Sequence, residues 1–165
     1  MIILITGASH TGKTLLAQRM LEKYKYPYFS INQLKKDLIR NGDLNLSKMD
    51  DNGVKAYLWP IVRKTIMNAI EKKQDLIVEG CYVPFDWRKD FEKKYLDKIR
   101  FICLAMSGSY IDKHFGRSWE DEADSVLARV KEGNRLCSEG FLQAGERVTL
   151  IDESYELAID GIMNY

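Results

Sequence analysis

The chain alternates short apolar runs with longer stretches in which apolar residues recur at helical spacing. The short runs predict five strands, at residues 1–6, 28–31, 76–78, 99–105 and 148–151. The longer stretches predict helices at about 14–25, 33–40, 51–73, 86–95, 108–115, 119–136 and 153–163. The first run is apolar without interruption from Met1 to Ile5, as in a strand that is buried on both faces. Strands that alternate with helices predict an α/β fold, a doubly wound parallel sheet with helices on both faces.

The length and the composition favour one globular domain that spans 1–165. A chain of 165 residues with 45% hydrophobic and 30% charged residues has the size and composition of one ordinary domain. No repeat, low-complexity tract or Pro/Gly-rich linker divides it, and it contains only three prolines. Pro60 lies inside the longest helical stretch, where we expect it to kink the helix or to mark its true start.

Charge and cysteine usage exclude several classes of protein. The 25 Lys and Arg residues balance 24 Asp and Glu, for a net charge of +1, which argues against a nucleic-acid partner. No run approaches 18 apolar residues, so no membrane partner is expected. The three cysteines form no paired spacing, which argues against disulfides and metal frameworks and favours a reduced, cytoplasmic protein. Nothing in the sequence indicates an oligomeric state.

A phosphate-binding motif directly follows the first strand. The octet fits G-x-x-x-x-G-K-[ST] without a mismatch and consists of Gly7, Ala8, Ser9, His10, Thr11, Gly12, Lys13 and Thr14. Backbone N–H groups of such a loop point at phosphate oxygens, and the following helix adds its positive end. The motif predicts that Lys13 reaches the β- and γ-phosphates of ATP and that the Thr14 hydroxyl holds Mg²⁺. The alternative is an ordinary strand–turn–helix connection with a solvated lysine.

A carboxylate ends the third predicted strand. Residues 75–80 read Asp-Leu-Ile-Val-Glu-Gly, a buried strand that ends at Glu79. Ligands of doubly wound folds bind at the carboxyl ends of the strands, so Glu79 is expected near the phosphate-binding loop. There it would hold a water on Mg²⁺ or orient an acceptor hydroxyl. The alternative is a solvated strand terminus.

With these two segments, the chain resembles the P-loop kinases of small molecules. The segment Glu79-Gly-Cys-Tyr-Val-Pro84 is similar to the acid-Gly-aromatic-Pro segment of the adenylate kinase-like nucleoside monophosphate kinases. It is equally similar to the Glu-Gly segment of the zeta-toxin and chloramphenicol phosphotransferase group. Shikimate-type kinases are the third group that the chain resembles, through the phosphate-binding loop. The resemblance implies strand order 2-3-1-4-5, ATP and Mg²⁺ as cofactors, and a small-molecule phosphoryl acceptor as the partner.

The chain departs from these families at two positions. Adenylate kinases place an Arg directly after the proline to grip the acceptor phosphate, whereas this chain has Phe85 there and Arg88 as its next arginine. The segment Ser30-Ile-Asn-Gln-Leu-Lys35 resembles a Ser-x-Asp-x-Leu-Arg pattern in which the Asp is the general base. Here Asn32 replaces that base, and an amide cannot accept the proton.

Several residues are therefore candidates for the acceptor side of the site. Either Asp37 or Glu79 serves as the base, or no strong base is used, since phosphoryl transfer relies mainly on positioning and charge neutralisation. The substrate-binding candidates are Asn32, Lys35 and Arg88, and we expect a helical acceptor-binding segment at about 32–73. For Lys35, a solvated surface lysine is the alternative.

Kinases of this class close an arginine-bearing helical lid over the transferred phosphate. We expect this lid at about 116–136, with Arg117 and Arg129 in contact with the γ-phosphate. The alternative for both arginines is a surface ion pair of little consequence.

The pattern distinguishes between three candidate functions. The first is an ATP- and Mg²⁺-dependent kinase whose acceptor is a nucleoside monophosphate or a hydroxylated metabolite. The second is a GTPase-type switch, which is disfavoured because the chain lacks the guanine-reading Asn-Lys-x-Asp segment. The third is a nucleotide-binding regulatory protein that has lost catalysis, which Asn32 makes a serious alternative.

Overall fold

A five-stranded parallel sheet forms the centre of the molecule. The computed structural model describes residues 1–115 and 123–164, with side chains from residue 126 onward in the second range. The strands are β1 (Ile2–Gly7), β2 (Tyr28–Ser30), β3 (Leu76–Glu79), β4 (Ile99–Met106) and β5 (Thr149–Ile151). They are all parallel and lie in the order β2-β3-β1-β4-β5. The predicted α/β fold, the five strands and their order are confirmed.

Helices connect the strands and cover both faces of the sheet. They are α1 (Lys13–Tyr24), α2 (Ile31–Arg40), α3 (Leu44–Ser47), α4 (Asp51–Glu71), α5 (Lys93–Leu96), α6 (Gly108–Phe115), α7 (Ala123–Gln143) and α8 (Tyr155–Met163). A 3₁₀ helix at Trp87–Asp90 precedes α5. The carboxyl ends of all five strands lie at one edge of the sheet, where ligands bind in doubly wound folds.

Successive side chains of β1 point to opposite faces of the sheet and build two separate cores. Ile2 and Leu4 pack with buried residues of α4 and with Phe141 at the end of α7. Ile3 and Ile5 pack on the other face, with buried residues of α1, α6 and α8. Because β1 is covered on both faces, its sequence is continuously apolar. The buried strand anchors the start of the phosphate-binding loop, which follows it directly.

Four details differ from the prediction. The predicted helix 86–95 is two short helices, because Phe91 between them is extended and packs edge-on against Trp59 and Trp87. Helix α7 continues to Gln143 because Phe141 in its last turn belongs to the core. The short helix α3, with Asp43 as its N-cap, was not predicted. Helix α4 begins at Asp51 and runs through Pro60, so Pro60 does not mark its start.

Within the described ranges, no helix is both long and apolar enough to cross a lipid bilayer.

Candidate active site

The loop from Gly7 to Thr14 joins the buried strand β1 to helix α1. Gly7 has a φ of 143°, and a Cβ there would lie 2.1 Å from the carbonyl oxygen of Leu104 on β4. Gly12, the N-cap of α1, has a φ of 75°, and a Cβ would lie 2.6 Å from the ring of Tyr155. Both positions require glycine, for the backbone angle and for the space. The loop is therefore tightly held by β4 and by α8.

Lys13 lies over this loop instead of extending into solvent. The residue is only 6% exposed, and its ammonium donates a hydrogen bond of 2.5 Å to the carbonyl of Ala8. The hydroxyl of Thr11 donates to the same carbonyl, at 2.9 Å. The ammonium is thus held within the loop, beside the free N–H groups of the first turn of α1. This arrangement concentrates positive charge where the sequence predicts phosphates, and it differs from the solvated lysine of an ordinary turn.

Glu79 ends β3 as a buried carboxylate surrounded by hydroxyl groups. The residue is 3% exposed. Its Oε1 accepts hydrogen bonds from Tyr28 at 2.7 Å and from Ser30 at 3.0 Å, and it lies 3.5 Å from the hydroxyl of Thr14. Strand pairing explains this cluster, because Ser30 of β2 pairs directly with Glu79 and Tyr28 shares the face of Ser30. Glu79 is therefore not a solvated strand terminus.

The Glu79 site fits a magnesium ion held jointly with nucleotide phosphates. Thr14 and Glu79 bring a hydroxyl and a carboxylate together, and Mg²⁺ prefers such oxygen ligands. Within the described part of the chain, Oε2 of Glu79 accepts no hydrogen bond and is free for a ligand. No group of three His, Cys, Asp or Glu side chains suited to a metal occurs among the described residues. Mg²⁺ takes one or two protein carboxylates and completes its shell with phosphates and water.

The phenol of Tyr28 stays protonated over a wide pH range. Burial, and then the hydrogen bond to Glu79, raise the pKa of Tyr28 to about 12. The hydroxyl therefore remains a donor to the carboxylate at every physiological pH.

Two cavities meet at the loop. The loop cavity, of about 640 Å³, is lined by Gly7 to His10 on one side and by residues of α4 and α7 on the other. The edge cavity, of about 570 Å³, lies at the β2 side and is lined by Thr14, Glu79 and residues of β2 and α2. Asn32 lines both cavities, and its Oδ1 lies 3.4 Å from the backbone nitrogen of Cys81, which donates to it.

The other two acceptor-side candidates on α2, Asp37 and Lys35, lie next to different cavities. Asp37 lines the edge cavity and accepts a hydrogen bond of 2.8 Å from Gln33. Lys35 donates a hydrogen bond of 2.9 Å to the hydroxyl of Tyr82, which lines the loop cavity. Lys35 therefore has a specific partner next to the cavity, unlike a solvated surface lysine.

The three candidate arginines have different positions. Arg88 lines neither cavity, since its guanidinium forms two hydrogen bonds, of 2.5 and 2.9 Å, with the buried carboxylate of Glu146. The structure thus gives Arg88 a partner other than a substrate. Arg129, on α7, lines the loop cavity. Arg117 lies outside the described residues.

Sequence reasoning missed several residues of the site. Tyr28 donates to Glu79, Asp51 and Lys55 line the loop cavity, and Tyr155 donates a hydrogen bond of 2.7 Å to the carbonyl of Gly12. The spacing of Asp51 and Lys55, four residues apart on one helix, places them on one face and was a usable signal. The contacts of Tyr28 and Tyr155 depend on strand register and helix docking, for which the sequence carries no local signal.

Comparisons with known proteins agree with this fold. No protein-family model and no curated protein matches the chain. Among solved structures, shikimate kinase from Bacteroides thetaiotaomicron is similar with a TM-score of 0.60 and 12% identity, over 99% of this chain and 96% of that one. A gluconokinase from Sinorhizobium meliloti is similar with a TM-score of 0.57 and 17% identity, over 98% and 91%. Shikimate kinase from Aquifex aeolicus gives a TM-score of 0.52 and 11% identity, over 99% and 94%.

At these identities, the likeness shows the fold and leaves the activity open. It covers almost the whole length of both partners in each pair, so the match is to a complete domain and not to an isolated loop. The predicted resemblance is confirmed: the chain has the fold of the P-loop small-molecule kinases.

Proposed function

We propose that this protein is an ATP- and Mg²⁺-dependent kinase that phosphorylates a small-molecule acceptor. The observation that carries the proposal is the convergence of the buried Lys13 ammonium and the buried Glu79 carboxylate on one loop, next to a cavity of substrate size. Phosphoryl transfer is catalysed mainly by positioning and by electrostatic stabilisation, which such groups supply.

The residues have separate tasks in this proposal. The loop amides and Lys13 bind the β- and γ-phosphates, and Thr14 and Glu79 hold the magnesium ion, which neutralises charge on the phosphates when bound. Arg129 lines the loop cavity and contacts the γ-phosphate, and Arg117 assists it from the predicted lid at 116–136. The acceptor lies in the loop cavity against the segment 32–73, where Asn32 and the Lys35–Tyr82 pair border it.

The transfer step needs no covalent enzyme intermediate. An acceptor hydroxyl oxygen forms a bond to the γ-phosphorus, and the bond from that phosphorus to the β,γ-bridging oxygen breaks with its electron pair going to ADP. The hydroxyl proton is released to a carboxylate or to water. Since Asn32 is no base, Asp37 and Glu79 are the sequence-predicted carboxylates for this role.

The direct test is ADP release from Mg-ATP in the presence of nucleoside monophosphates, nucleosides and hydroxylated metabolites. We expect one acceptor to raise the rate well above the rate without acceptor, and Lys13→Ala to abolish the increase. Stimulated release that survives in Lys13→Ala at near-normal rate would contradict the proposal.

One observation favours a second candidate, a nucleotide-binding regulatory protein without transferase activity. Asn32 lies at the junction of the two cavities and accepts a hydrogen bond from the backbone of Cys81. If its amide ended catalysis, Mg-ATP would bind without stimulation by any acceptor, and Asn32→Asp would restore turnover.

A further inference from the structure

Two oppositely charged side chains face the phosphate-binding loop from helix α4. Asp51 and Lys55 lie in the first two turns of α4, four residues apart and hence on the same face of the helix. Both line the loop cavity, together with Ser9 and His10 of the loop. The pair and the phosphate-binding loop therefore border the same cavity.

Lys55 is half-buried and lies on an aromatic face. Its ammonium is 5.0 Å from the centre of the Phe85 ring. That ring is held in place by Phe141, edge-on at 4.9 Å, and by Gly140, where a Cβ would lie 2.4 Å from it. Within the described ranges, no carboxylate lies within ion-pair distance of Lys55. The cavity thus holds an ammonium that an anion can bind.

The positive charge of Lys55 also affects the pKa of a thiol in the cavity, that of Cys137. Cys137 lines the same cavity from α7. The pKa of Cys137 is lowered, first by its interaction with Cys103 and then by the positive charges of Lys13 and Lys55. Lys55 lines this cavity and Lys13 does not, so Lys55 is the lysine that a molecule in the cavity would contact.

Asp51 supplies the acidic group of the cavity. Among the described residues that line the loop cavity, Asp51 is the one carboxylate, because Asp37 and Glu79 line the edge cavity instead. A carboxylate accepts hydrogen bonds from hydroxyl groups and repels a phosphate dianion. Because a phosphate dianion carries more negative charge than a carboxylate, Asp51 disfavours a phosphate acceptor more strongly than a carboxylic acid.

We propose that Asp51 and Lys55 bind the acceptor, and that this acceptor is a small hydroxy acid. Lys55 pairs with its carboxylate, and Asp51 accepts a hydrogen bond from one of its hydroxyl groups. This inference rests on the proposed kinase function and chooses between the two acceptor classes that the sequence leaves open. Arg88, the arginine next in sequence to the Glu79–Pro84 segment, is held by Glu146, and Arg129, the other cation of the loop cavity, is assigned to the γ-phosphate, so neither is left to bind a monophosphate acceptor.

The acceptor class is tested with matched compounds. ADP release from Mg-ATP is measured with gluconate against glucitol, with glycerate against glycerol, with shikimate, and with AMP and CMP. We expect a hydroxy acid to stimulate release, and its neutral counterpart to do so at least 10-fold less well. A monophosphate or a neutral polyol as the better acceptor would overturn the inference and leave the kinase function intact.

The residues are tested with Lys55→Met and Asp51→Asn. For the best hydroxy acid, we expect each change to raise KM about 10-fold or more, since each removes a hydrogen bond that involves a charged group. Lys55→Arg should recover part of the loss. The exposed Lys64, further along α4, lines neither cavity, so Lys64→Met is the matched control with unchanged KM.

A binding measurement separates this inference from the kinase function. Gluconate, glycerate and shikimate are titrated calorimetrically into the wild-type protein with Mg-ADP, and into Lys55→Met. Binding that is lost in Lys55→Met supports the inference even if transfer is slow. Unchanged KM and unchanged binding in Lys55→Met would overturn it, as would the absence of hydroxy-acid binding in the wild-type protein.

Discussion

The hydroxyl of Tyr28 donates a hydrogen bond of 2.7 Å to Oε1 of Glu79, from one edge strand to the end of its neighbour. Ser30 donates to the same oxygen, at 3.0 Å. The two donors hold Oε1, and no donor among the described residues is bonded to Oε2. Tyr28 is therefore a positioning residue for the proposed magnesium ligand.

Removing this hydroxyl should weaken the metal site without unfolding the protein. In Tyr28→Phe, we expect the Mg²⁺ concentration for half-maximal activity to rise about 10-fold, as for other residues that orient a metal ligand. The measurement is ADP release as a function of free Mg²⁺, and Glu79→Gln should show a larger loss. A Tyr28→Phe variant with an unchanged Mg²⁺ requirement would contradict the role assigned to Tyr28.

The same phenol predicts a loss of stability at alkaline pH. The pKa of Tyr28 is about 12 in the folded protein and about 10 in an unfolded chain, so between these values the folded state holds more protons. Stability that is fully present below pH 10 is then lost as the pH rises toward 12. Urea unfolding at pH 9, 10 and 11 should show a shallower decline for Tyr28→Phe than for the wild type. Parallel declines would contradict the assigned pKa.

Gly12 should tolerate no side chain. Gly12→Ala forces a Cβ to within 2.6 Å of the Tyr155 ring and a non-glycine residue into a φ of 75°. We expect a loss of about 1–3 kcal/mol in unfolding free energy and much weaker ATP binding. Adding Tyr155→Ala relieves the contact but not the backbone strain, so the double variant should recover only part of the ATP affinity. Full ATP affinity in Gly12→Ala, by calorimetric titration, would contradict this description of the loop.

The sheet was predictable because its signal is local and repeated. The sequence shows continuous apolar runs, such as Met1–Ile5, and a complete phosphate-binding motif. Both lie where expected. The site was only partly predictable, because its contacts come from register and docking. Tyr28 reaches Glu79 only when β2 pairs with β3 in the observed register, and Arg88 is removed from the substrate candidates only by Glu146, 58 residues later.

The ion pair of Arg88 and Glu146 predicts a variant that affects stability and not substrate binding. The Glu146 side chain is 4% exposed, so Arg88→Ala leaves a buried carboxylate without its partner. We expect a loss of about 2 kcal/mol in unfolding free energy, with an unchanged acceptor KM at a temperature where the variant is folded. The double variant Arg88→Met with Glu146→Leu should recover much of the stability. A raised acceptor KM in Arg88→Ala would instead return Arg88 to the substrate site.

The most direct test of the central claim is to observe the transferred phosphoryl group. Mg-ATP and the best-stimulating acceptor are incubated with the wild-type protein and with Lys13→Ala, and the products are followed by phosphorus NMR. The account predicts a new phosphate-ester resonance that grows in step with ADP, at a rate at least 100-fold lower in Lys13→Ala. ATP binding without any new ester resonance, or equal rates in both proteins, would contradict it.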